Sequence, residues 1–291
     1  MQVQYDSAWT FNKLKVIPIK FRAEYISSQT KNLSLTEIIS LKDAMHSGKI
    51  SVKEVLFNGG ADVSVLVIKN NSKQNILILG GELISGGKQD RVVAETIIIP
   101  PGKEENYLTV FCAEKGRWDN KAKPFLYEGM AEMGLRKKID IVHRQTEIWK
   151  EIEQQFSAKN KKAETSPYIK LHKNLAAEDS LYLQYFINKY KESDSSFAGF
   201  AAISGNRIIG CEIFSSPNYT QIFFKEMMTG FIRSITKTDS IPSVTKKECE
   251  IFFDKLLQTE SSQKQFLANH GKADKYNGKV FHLIAYGEEQ N

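Results

Sequence analysis

Residues 80–118 read GGELISGGKQDRVVAETIIIPPGKEENYLTVFCAEKGRW, a glycine-rich turn, a charged cluster and two strand-like runs in succession. The runs 92–99 and 104–112 are rich in Val, Ile, Thr, Tyr and Phe, as β-strands are. Pro101 and Gly102 lie between them and suit the centre of a type II turn, because proline presets φ and glycine accepts a positive φ. The segment therefore predicts a β-hairpin.

This turn sets a provisional register for the hairpin, in which Arg91 faces Cys112 and Gln89 faces Glu114. Directly opposed residues share a face of the sheet, so these four side chains are predicted to project together. The residues at 88 and 90 then lie on the reverse side. A slip of one residue would exchange the two faces, whereas the clustering at one end of the hairpin would persist.

The charged residues of the segment are the candidate functional residues. Carboxylates serve as general acids and bases, so Glu82 and Glu114 are the candidate catalytic residues. Residues able to bind an anion, a ribose or a base by charge, hydrogen bonding or stacking are Lys88, Gln89, Asp90, Arg91, Arg117 and Trp118. The carboxylates could also hold Mg²⁺, although we predict no metal site. The alternative is an internal ion-pair network in which the arginines neutralise the carboxylates.

The glycine-rich part of the segment invites comparison with a phosphate-binding loop. The P-loop spacing would need a glycine at Glu82 and a Ser or Thr at Gln89, so that motif is excluded. Two interpretations remain open. The backbone N–H groups of Gly86 and Gly87 could assist Lys88 in binding an anion, or the glycines could simply form a tight turn between strands.

Cys112 is a candidate nucleophile only because Arg91 faces it, and a nearby cation lowers a thiol pKa. No histidine occurs between His46 and His143 to act as a base. We therefore interpret Cys112 as a buried structural residue. His282, in an apolar run near the C-terminus, is interpreted as a core histidine with its hydrogen bonds satisfied.

Composition excludes several classes of protein. The 291 residues are 41% hydrophobic and 25% charged, as in ordinary globular proteins, and no apolar run approaches the ~20 residues that span a bilayer. Residues 1–10 lack the pattern of a signal peptide, so we expect no membrane association and a cytoplasmic location. The three cysteines are far apart and indicate neither disulfides nor zinc.

The net charge of +6 is spread along the chain. It favours an anionic small molecule or a protein as partner, whereas a nucleic-acid-binding protein concentrates its lysine and arginine. The densest basic patch, residues 159–162, is expected to be the solvated end of a helix.

Outside the central segment, the N-terminal half reads as short strands with one helix. Ser34 to Glu37 form a capping-box pattern, predicting a helix that runs toward Met45 with Gly48 at its C-terminal end. The predicted strands cover 14–21, 50–56, 63–69 and 76–79. Residues from about 12 to 118 are thus expected to form a mostly antiparallel sheet or a sandwich.

The remaining chain is predicted to contain more helices than the N-terminal half. Apolar spacing predicts helices over 140–156, 181–190, 219–235 and 245–257. Strands at 197–203 and 207–214 flank Ser204-Gly205-Asn206, a short-hairpin signal, and a closing strand at 280–286 could pair with that hairpin. The prediction is an α+β fold with a β-rich domain at 1–126, a helical segment at 127–192 and an α+β portion at 193–291.

These motifs resemble the ARG and rhodanese-phosphatase-superfamily-associated protein family, where ARG means ADP-ribosylglycohydrolase. The matching positions of the first motif are Glu82, Lys88, Gln89, Arg91, Pro101, Gly102, Cys112, Glu114, Gly116, Arg117 and Trp118. A second glycine-rich hairpin matches more weakly through Gly205, Gly210 and Phe214. Asp90 stands where many members of the family carry asparagine.

Two functions are predicted from these observations. The first is binding or hydrolysis of a phosphate-bearing nucleotide metabolite such as ADP-ribose, which the association in the family's name favours. The second is a non-catalytic interaction or scaffolding module whose motif is a structural ion-pair network. Burial separates the two, because a binding site needs its polar side chains in an open cleft.

Overall fold

The computed structural model describes residues 1–22, 38–57, 60–102, 104–116, 123–159, 167–173, 176–194 and 196–288. Sixteen strands and eight helices lie within these ranges, with strands dominating the N-terminal half and helices following. Nearly all strand pairs are antiparallel. The predicted α+β class is confirmed.

The strands are β1 Gln2–Val3, β2 Trp9–Phe11, β3 Leu14–Lys20, β4 Ile38–Ser40, β5 Ile50–Phe57, β6 Gly60–Asn70, β7 Asn75–Ile78, β8 Glu82–Gly87, β9 Arg91–Val93, β10 Ile97–Ile99, β11 Glu105–Cys112, β12 Lys123–Met130, β13 Phe197–Ser204, β14 Arg207–Phe214, β15 Gly271–Tyr276 and β16 Lys279–Tyr286. The helices are α1 Leu41–His46, α2 Met133–Lys137, α3 Gln145–Ala158, α4 Tyr168–Lys173, α5 Ala176–Glu192, α6 Pro217–Arg233, α7 Lys246–Leu257 and α8 Glu260–His270. A 3₁₀ turn covers Tyr5–Ser7 and a π-helical turn covers Lys138–Val142.

The chain divides into two units, which we call the terminal and the central unit. The terminal unit comprises Met1–Leu33 together with Ala177–Asn291, and the central unit is Ser34–Ala176. These boundaries do not coincide with the predicted ones after residues 126 and 192. The physical reason is the pairing of β3, which joins the C-terminal strand β13 instead of the N-terminal sheet that we expected.

The terminal unit is built on a seven-stranded sheet of order β1-β3-β13-β14-β16-β15, with β2 also paired to β3. The hairpin of β13 and β14 forms where Ser204-Gly205-Asn206 predicted it, and Gly205 has the positive φ (+56°) that such a turn requires. The closing strand β16 pairs with β14, as predicted. The sequence interpretation missed β15, the edge strand beyond β16, and helix α8 before it.

Alternation along these strands gives the sheet two apolar faces. Ile17, Cys211 and Leu283 on one face join a cluster with Phe252 of α7 and Phe266 of α8. On the other face, Phe214 stacks on Phe223 of α6, with 5.5 Å between the ring centroids. The sheet is therefore covered on both sides, which explains why its inner strands are buried at almost every position.

The central unit contains a six-stranded sheet of order β12-β8-β9-β11-β6-β5 and a three-stranded sheet of order β10-β7-β4. Both sheets contribute to one hydrophobic cluster, with Leu66 and Val110 from the larger sheet and Ile76 from the smaller. Helix α3 and its neighbours pack in a second cluster against Leu83 and Val92.

The predicted hairpin around Pro101-Gly102 is correct in register at one end and wrong at the other. Arg91 pairs with Cys112 as predicted, and the pairing continues to Val93 and Val110. Beyond Ala94, however, β10 leaves β11 and pairs with β7 in the smaller sheet. The three isoleucines of β10 find apolar partners there, and packing prevails over turn geometry. Gly102 has φ +155°, and Lys103 lies outside the described residues.

Two helix predictions also need correction. Helix α1 begins at Leu41, not near Ser34, because Ile38–Ser40 is a strand parallel to β7 and the hydroxyl of Ser40 caps the helix by accepting the N–H of Asp43. The capping-box residues 34–37 lie outside the described residues. The helix predicted over 140–156 is interrupted, since His143 adopts a left-handed φ of +55° between the π-helical turn and α3.

Candidate functional site

The turn between β8 and β9 is shaped by glycines because the chain passes close to β12. Gly86 has φ +105°, and a Cβ there would lie 2.1 Å from the carbonyl oxygen of Pro124. Gly87 has φ +57° and is equally crowded by Phe125. A larger residue at position 86 would collide with backbone, which cannot move aside as a side chain can. The tight-turn interpretation of these glycines therefore has a steric basis.

Three carboxylates from different parts of the central unit hold this turn. The N–H of Gly86 donates to Oδ1 of Asp90 (3.1 Å), which closes the loop on itself. The N–H of Lys88 donates to Oε1 of Glu54 on β5 (2.7 Å), and the N–H of Asp90 donates to Oε2 of Glu114 after β11 (3.1 Å). Backbone N–H groups that an external anion would need are thus already bonded to carboxylates of the chain.

Arg91 lies at the centre of this arrangement and is fully buried. Its Nη1 donates to Oε1 of Gln89 and to the carbonyl of Asp90, both at 3.4 Å, and its Nη2 lies 3.8 Å from Oε1 of Glu54. Burial lowers the pKa of Arg91, while the nearby Cys112, Glu54, Asp90 and Glu114 act in the opposite direction. Arginine starts from so high a pKa that it stays charged at neutral pH.

Cys112, opposite Arg91, is a neutral thiol. Its Sγ donates to the carbonyl of Glu114 (2.7 Å) and contacts Oε1 of Gln89 (3.1 Å). Burial raises the pKa of this thiol, against the lowering effects of that backbone hydrogen bond and of Arg91. A buried thiol with a raised pKa is a poor nucleophile, in keeping with the structural interpretation.

The backbone of Cys112 is also bound by a residue that the sequence interpretation missed. Gln145, the first residue of α3, accepts the Cys112 N–H at Oε1 (2.8 Å) and donates from Nε2 to the Cys112 carbonyl (2.9 Å). Its amide side chain thus replaces a neighbouring strand at this point. No sequence signal marks a glutamine 33 residues away for this position.

Glu54 was missed as well, although the sequence holds a signal for it. In β5 the apolar residues Ile50 and Val52 precede Glu54 at alternate positions, so a charged residue continues an apolar row of the sequence. In the sheet, Glu54 pairs with buried Leu66, and its side chain is only 8% exposed. Charged residues in such a position are rarely buried without a partner.

Glu82, one of the predicted catalytic residues, makes a hydrogen bond to the backbone. Its Oε2 accepts the N–H of Leu79 (2.8 Å), which fixes the turn before β8, and the side chain is fully buried. The adjacent Gly81 has φ +93°, and a Cβ there would lie 2.5 Å from Cγ of Arg136. Glu82 is therefore anchored in the Leu79–Gly81 turn.

The structure thus brings some of the candidate residues together and not others. The Arg91 side chain contacts the Gln89 side chain and the Asp90 carbonyl, the Asp90 N–H donates to Glu114, and the charges of Asp90, Glu114 and Glu54 act on Arg91. Lys88 contributes its backbone N–H, and its side chain is half-buried. Arg117 and Trp118 lie outside the described residues.

A second buried polar cluster lies among the helices of the central unit. Lys159 forms an ion pair with Glu132, and Nε2 of His172 lies 3.7 Å from the same carboxylate. The hydroxyl of Tyr168 donates to Gln155 (2.8 Å). Lys159 is only 7% exposed, so the prediction that it belongs to a solvated helix end is wrong; residues 160–162 are outside the described ranges.

Within the described parts of the chain, no group of His, Cys, Asp and Glu side chains is arranged to hold a metal ion. The helices in those parts also lack the combination of length and apolar composition needed to cross a bilayer.

The fold and this site define an α+β protein with a buried charge network at a glycine turn. A family model for the ARG and Rhodanese-Phosphatase-superfamily-associated Protein domain matches residues 2–284, and the chain belongs to that family. No curated protein and no solved structure matches it.

Proposed function

We propose that this protein is a non-catalytic interaction or scaffolding module, and that its 82–118 motif is a structural ion-pair network. One observation carries the proposal: Asp90, Glu54 and Glu114 occupy the N–H groups of Gly86, Lys88 and Asp90 respectively. A site for an external anion would leave such groups available. A partner is then bound elsewhere on the surface, and a protein is the class of partner that fits.

Burial supports the same conclusion. Exposure is 0% for Arg91, 5% for Glu114, 6% for Asp90 and 8% for Gln89, so these groups are largely shielded from solvent. Both candidate catalytic carboxylates, Glu82 and Glu114, accept backbone N–H groups. A carboxylate in that role is held in one place as an acceptor, which leaves it poorly suited to exchange protons with a substrate.

The test is Arg91→Ala, measured by thermal and urea unfolding. Removing the guanidinium takes a buried cation away from Glu54, Asp90 and Glu114, and breaking a buried pair costs about 3–5 kcal/mol. Lys53→Ala is the matched control, because it removes an exposed cation from β5, the strand of Glu54, and should lose less than about 1 kcal/mol. A loss of stability in Arg91→Ala no larger than in the control would reject the structural network.

A second candidate, binding or hydrolysis of an ADP-ribose-like metabolite, is favoured by one feature of Arg91. Its Nε and Nη2 are buried and make no hydrogen bond to any described residue, so this guanidinium retains donors for a phosphate. Binding would raise the melting temperature of the wild type in the presence of ADP-ribose, NAD or nucleotides. Arg91→Lys would abolish that rise while keeping the charge. Absence of any rise for the wild type supports the structural interpretation.

The proposal includes a cytoplasmic location. The three cysteines are all free and buried, as is usual in a reducing compartment.

A further inference from the structure

His282 lies at the centre of a second charge cluster, in the terminal unit. Its Nε2 is 2.9 Å from Oε1 of Glu212 on β14, and its Nδ1 is 2.7 Å from Oδ2 of Asp274 on β15. Because His282 itself belongs to β16, one imidazole links three adjacent strands. We call His282, Glu212 and Asp274 the His282 cluster.

Only a protonated imidazole can serve both carboxylates. The imidazolium has two N–H donors and the neutral ring has one, so loss of the proton leaves one carboxylate facing a lone pair. Burial by itself would lower the pKa of His282, but the hydrogen bonds and charges of Asp274 and Glu212 outweigh it and raise the pKa above its usual value. The geometry, with a carboxylate at each ring nitrogen, favours the charged form of His282, and the raised pKa acts in the same direction.

Other groups around the ring do not replace this proton. Phe214 stacks on His282 (4.7 Å between centroids) and on Phe223 of α6. Helix α6 carries two buried titratable side chains, Tyr219 and Glu226, and burial raises the pKa of Tyr219 to about 12. A further charge is that of Lys272 on β15, whose Nζ lies 3.6 Å from Oδ1 of Asp274.

The carboxylates of Glu212 and Asp274 differ in how well they tolerate deprotonation of His282. Glu212 is fully buried, whereas the Asp274 side chain is 13% exposed and has Lys272 beside it. An unsatisfied carboxylate costs more where water cannot reach it, so a neutral His282 keeps its proton on Nε2 toward Glu212. The bond to Asp274 is the one that fails.

We propose that His282 is a pH-operated clasp for the edge strand: its imidazolium holds β15 to the sheet, and deprotonation releases β15 at Asp274. Among the strands that the structure describes, β15 is the last of its sheet and pairs with β16 alone. Its register shifts immediately after Asp274, so the ladder is already interrupted there. An edge strand with a weakened ladder opens locally before the rest of the sheet.

Hydrogen exchange of the full-length protein at about pH 6 and about pH 9, on either side of histidine titration, tests this proposal. Protection factors, corrected for the intrinsic rate at each pH, are compared between β15 and strands β8 and β9 of the central unit. We expect protection in β15 to fall about tenfold for each pH unit between the usual histidine pKa of about 6.5 and the raised pKa of His282, and to level off above it, with β8 and β9 unchanged. Equal pH dependence in both regions would overturn the proposal.

Asp274→Asn is the decisive variant, because an amide can pair with a neutral imidazole and the pH dependence should disappear. Lys272→Ala removes a charge from the same strand and should retain the pH dependence of the wild type. If Asp274→Asn retains the wild-type pH dependence, the clasp is excluded. An NMR titration of the His282 ring in the wild type gives an independent measurement: a midpoint at or below the usual value of about 6.5 would also exclude it.

Discussion

The two charge clusters differ in what holds their carboxylates. In the central unit, Glu54, Asp90 and Glu114 accept backbone N–H groups around Arg91. In the terminal unit, Glu212 and Asp274 accept from one imidazole. Backbone amides and arginine keep their protons throughout the neutral range, whereas histidine does not. On our proposals, the first cluster therefore supports the fold throughout the neutral pH range, and the second depends on pH.

The largest effect that tests this comparison is expected for Glu54→Ala. The change removes the acceptor of the Lys88 N–H and the carboxylate 3.8 Å from Arg91, so the free energy of unfolding should fall by about 3–5 kcal/mol. Glu54→Gln keeps an acceptor and should lose less. Urea unfolding at fixed pH measures both, and a loss below about 1 kcal/mol for the alanine variant would show that Glu54 is no essential part of the support.

Gln145 is an uncharged residue next to the same charge cluster, and its amide binds the Cys112 backbone. Gln145→Ala leaves a buried N–H and carbonyl without partners, and we expect a loss of about 2 kcal/mol. Lys150→Ala, at an exposed position of the same helix, should change little. Equal stability of the two variants would mean that water replaces the amide without cost.

A third cluster, around Asp239, tests what sets the pH response of such a cluster. The response could depend on the chemistry of the hydrogen-bond donors or on the unit in which the cluster lies. Asp239 in the terminal unit accepts from Ser204, from Arg207 and from the N–H of Thr236. Burial would raise the pKa of Asp239, but these donors outweigh it and lower the pKa. Its folded pKa lies below the unfolded value, so its stabilisation is present above about pH 4 and is lost as the pH falls through the folded pKa.

We therefore expect acid to weaken the Asp239 contacts and alkali to weaken those of His282, although both belong to one unit. Acid titration of unfolding should show a step in the wild type that Asp239→Asn removes. If the step persists in that variant, Asp239 does not account for the acid response.

The smallest effect is expected for an exposed ion pair of the central unit. Lys115 and Glu153 lie 3.2 Å apart with more than half of each side chain in solvent. Lys115→Ala should change the free energy of unfolding by less than about 0.5 kcal/mol, because water screens such pairs. A loss comparable to that of Glu54→Ala would contradict the view that burial makes the charge network important.

Local sequence was sufficient where adjacent residues determine the geometry. The hairpin of β13 and β14 follows from its turn, and helix α7 begins one residue after Thr245, whose side chain forms a capping box with Glu248. The register of Arg91 against Cys112 was predicted correctly from Pro101-Gly102. Strand β10 nevertheless pairs with β7 instead of β11, because its three isoleucines can pack equally well against another apolar strand.

The clustering of Gln89, Asp90, Arg91 and Glu114 was foreseeable because they are close in sequence to one strand pair. Glu54 and Gln145 were not foreseeable as their partners, since each arrives from a distant element. The burial of these charged residues could not be predicted from the sequence either, because the sequence shows the charges but not the residues that cover them.

By itself, the sequence determined the α+β class, the short turns and most strand and helix positions, since these depend on propensities and spacing within a few residues. Only the tertiary structure decided which strands pair across the chain, which carboxylates occupy the glycine turn and which carboxylates face His282. These outcomes depend on competition among distant apolar and polar partners for the same buried space, and that competition is settled only when the chain packs.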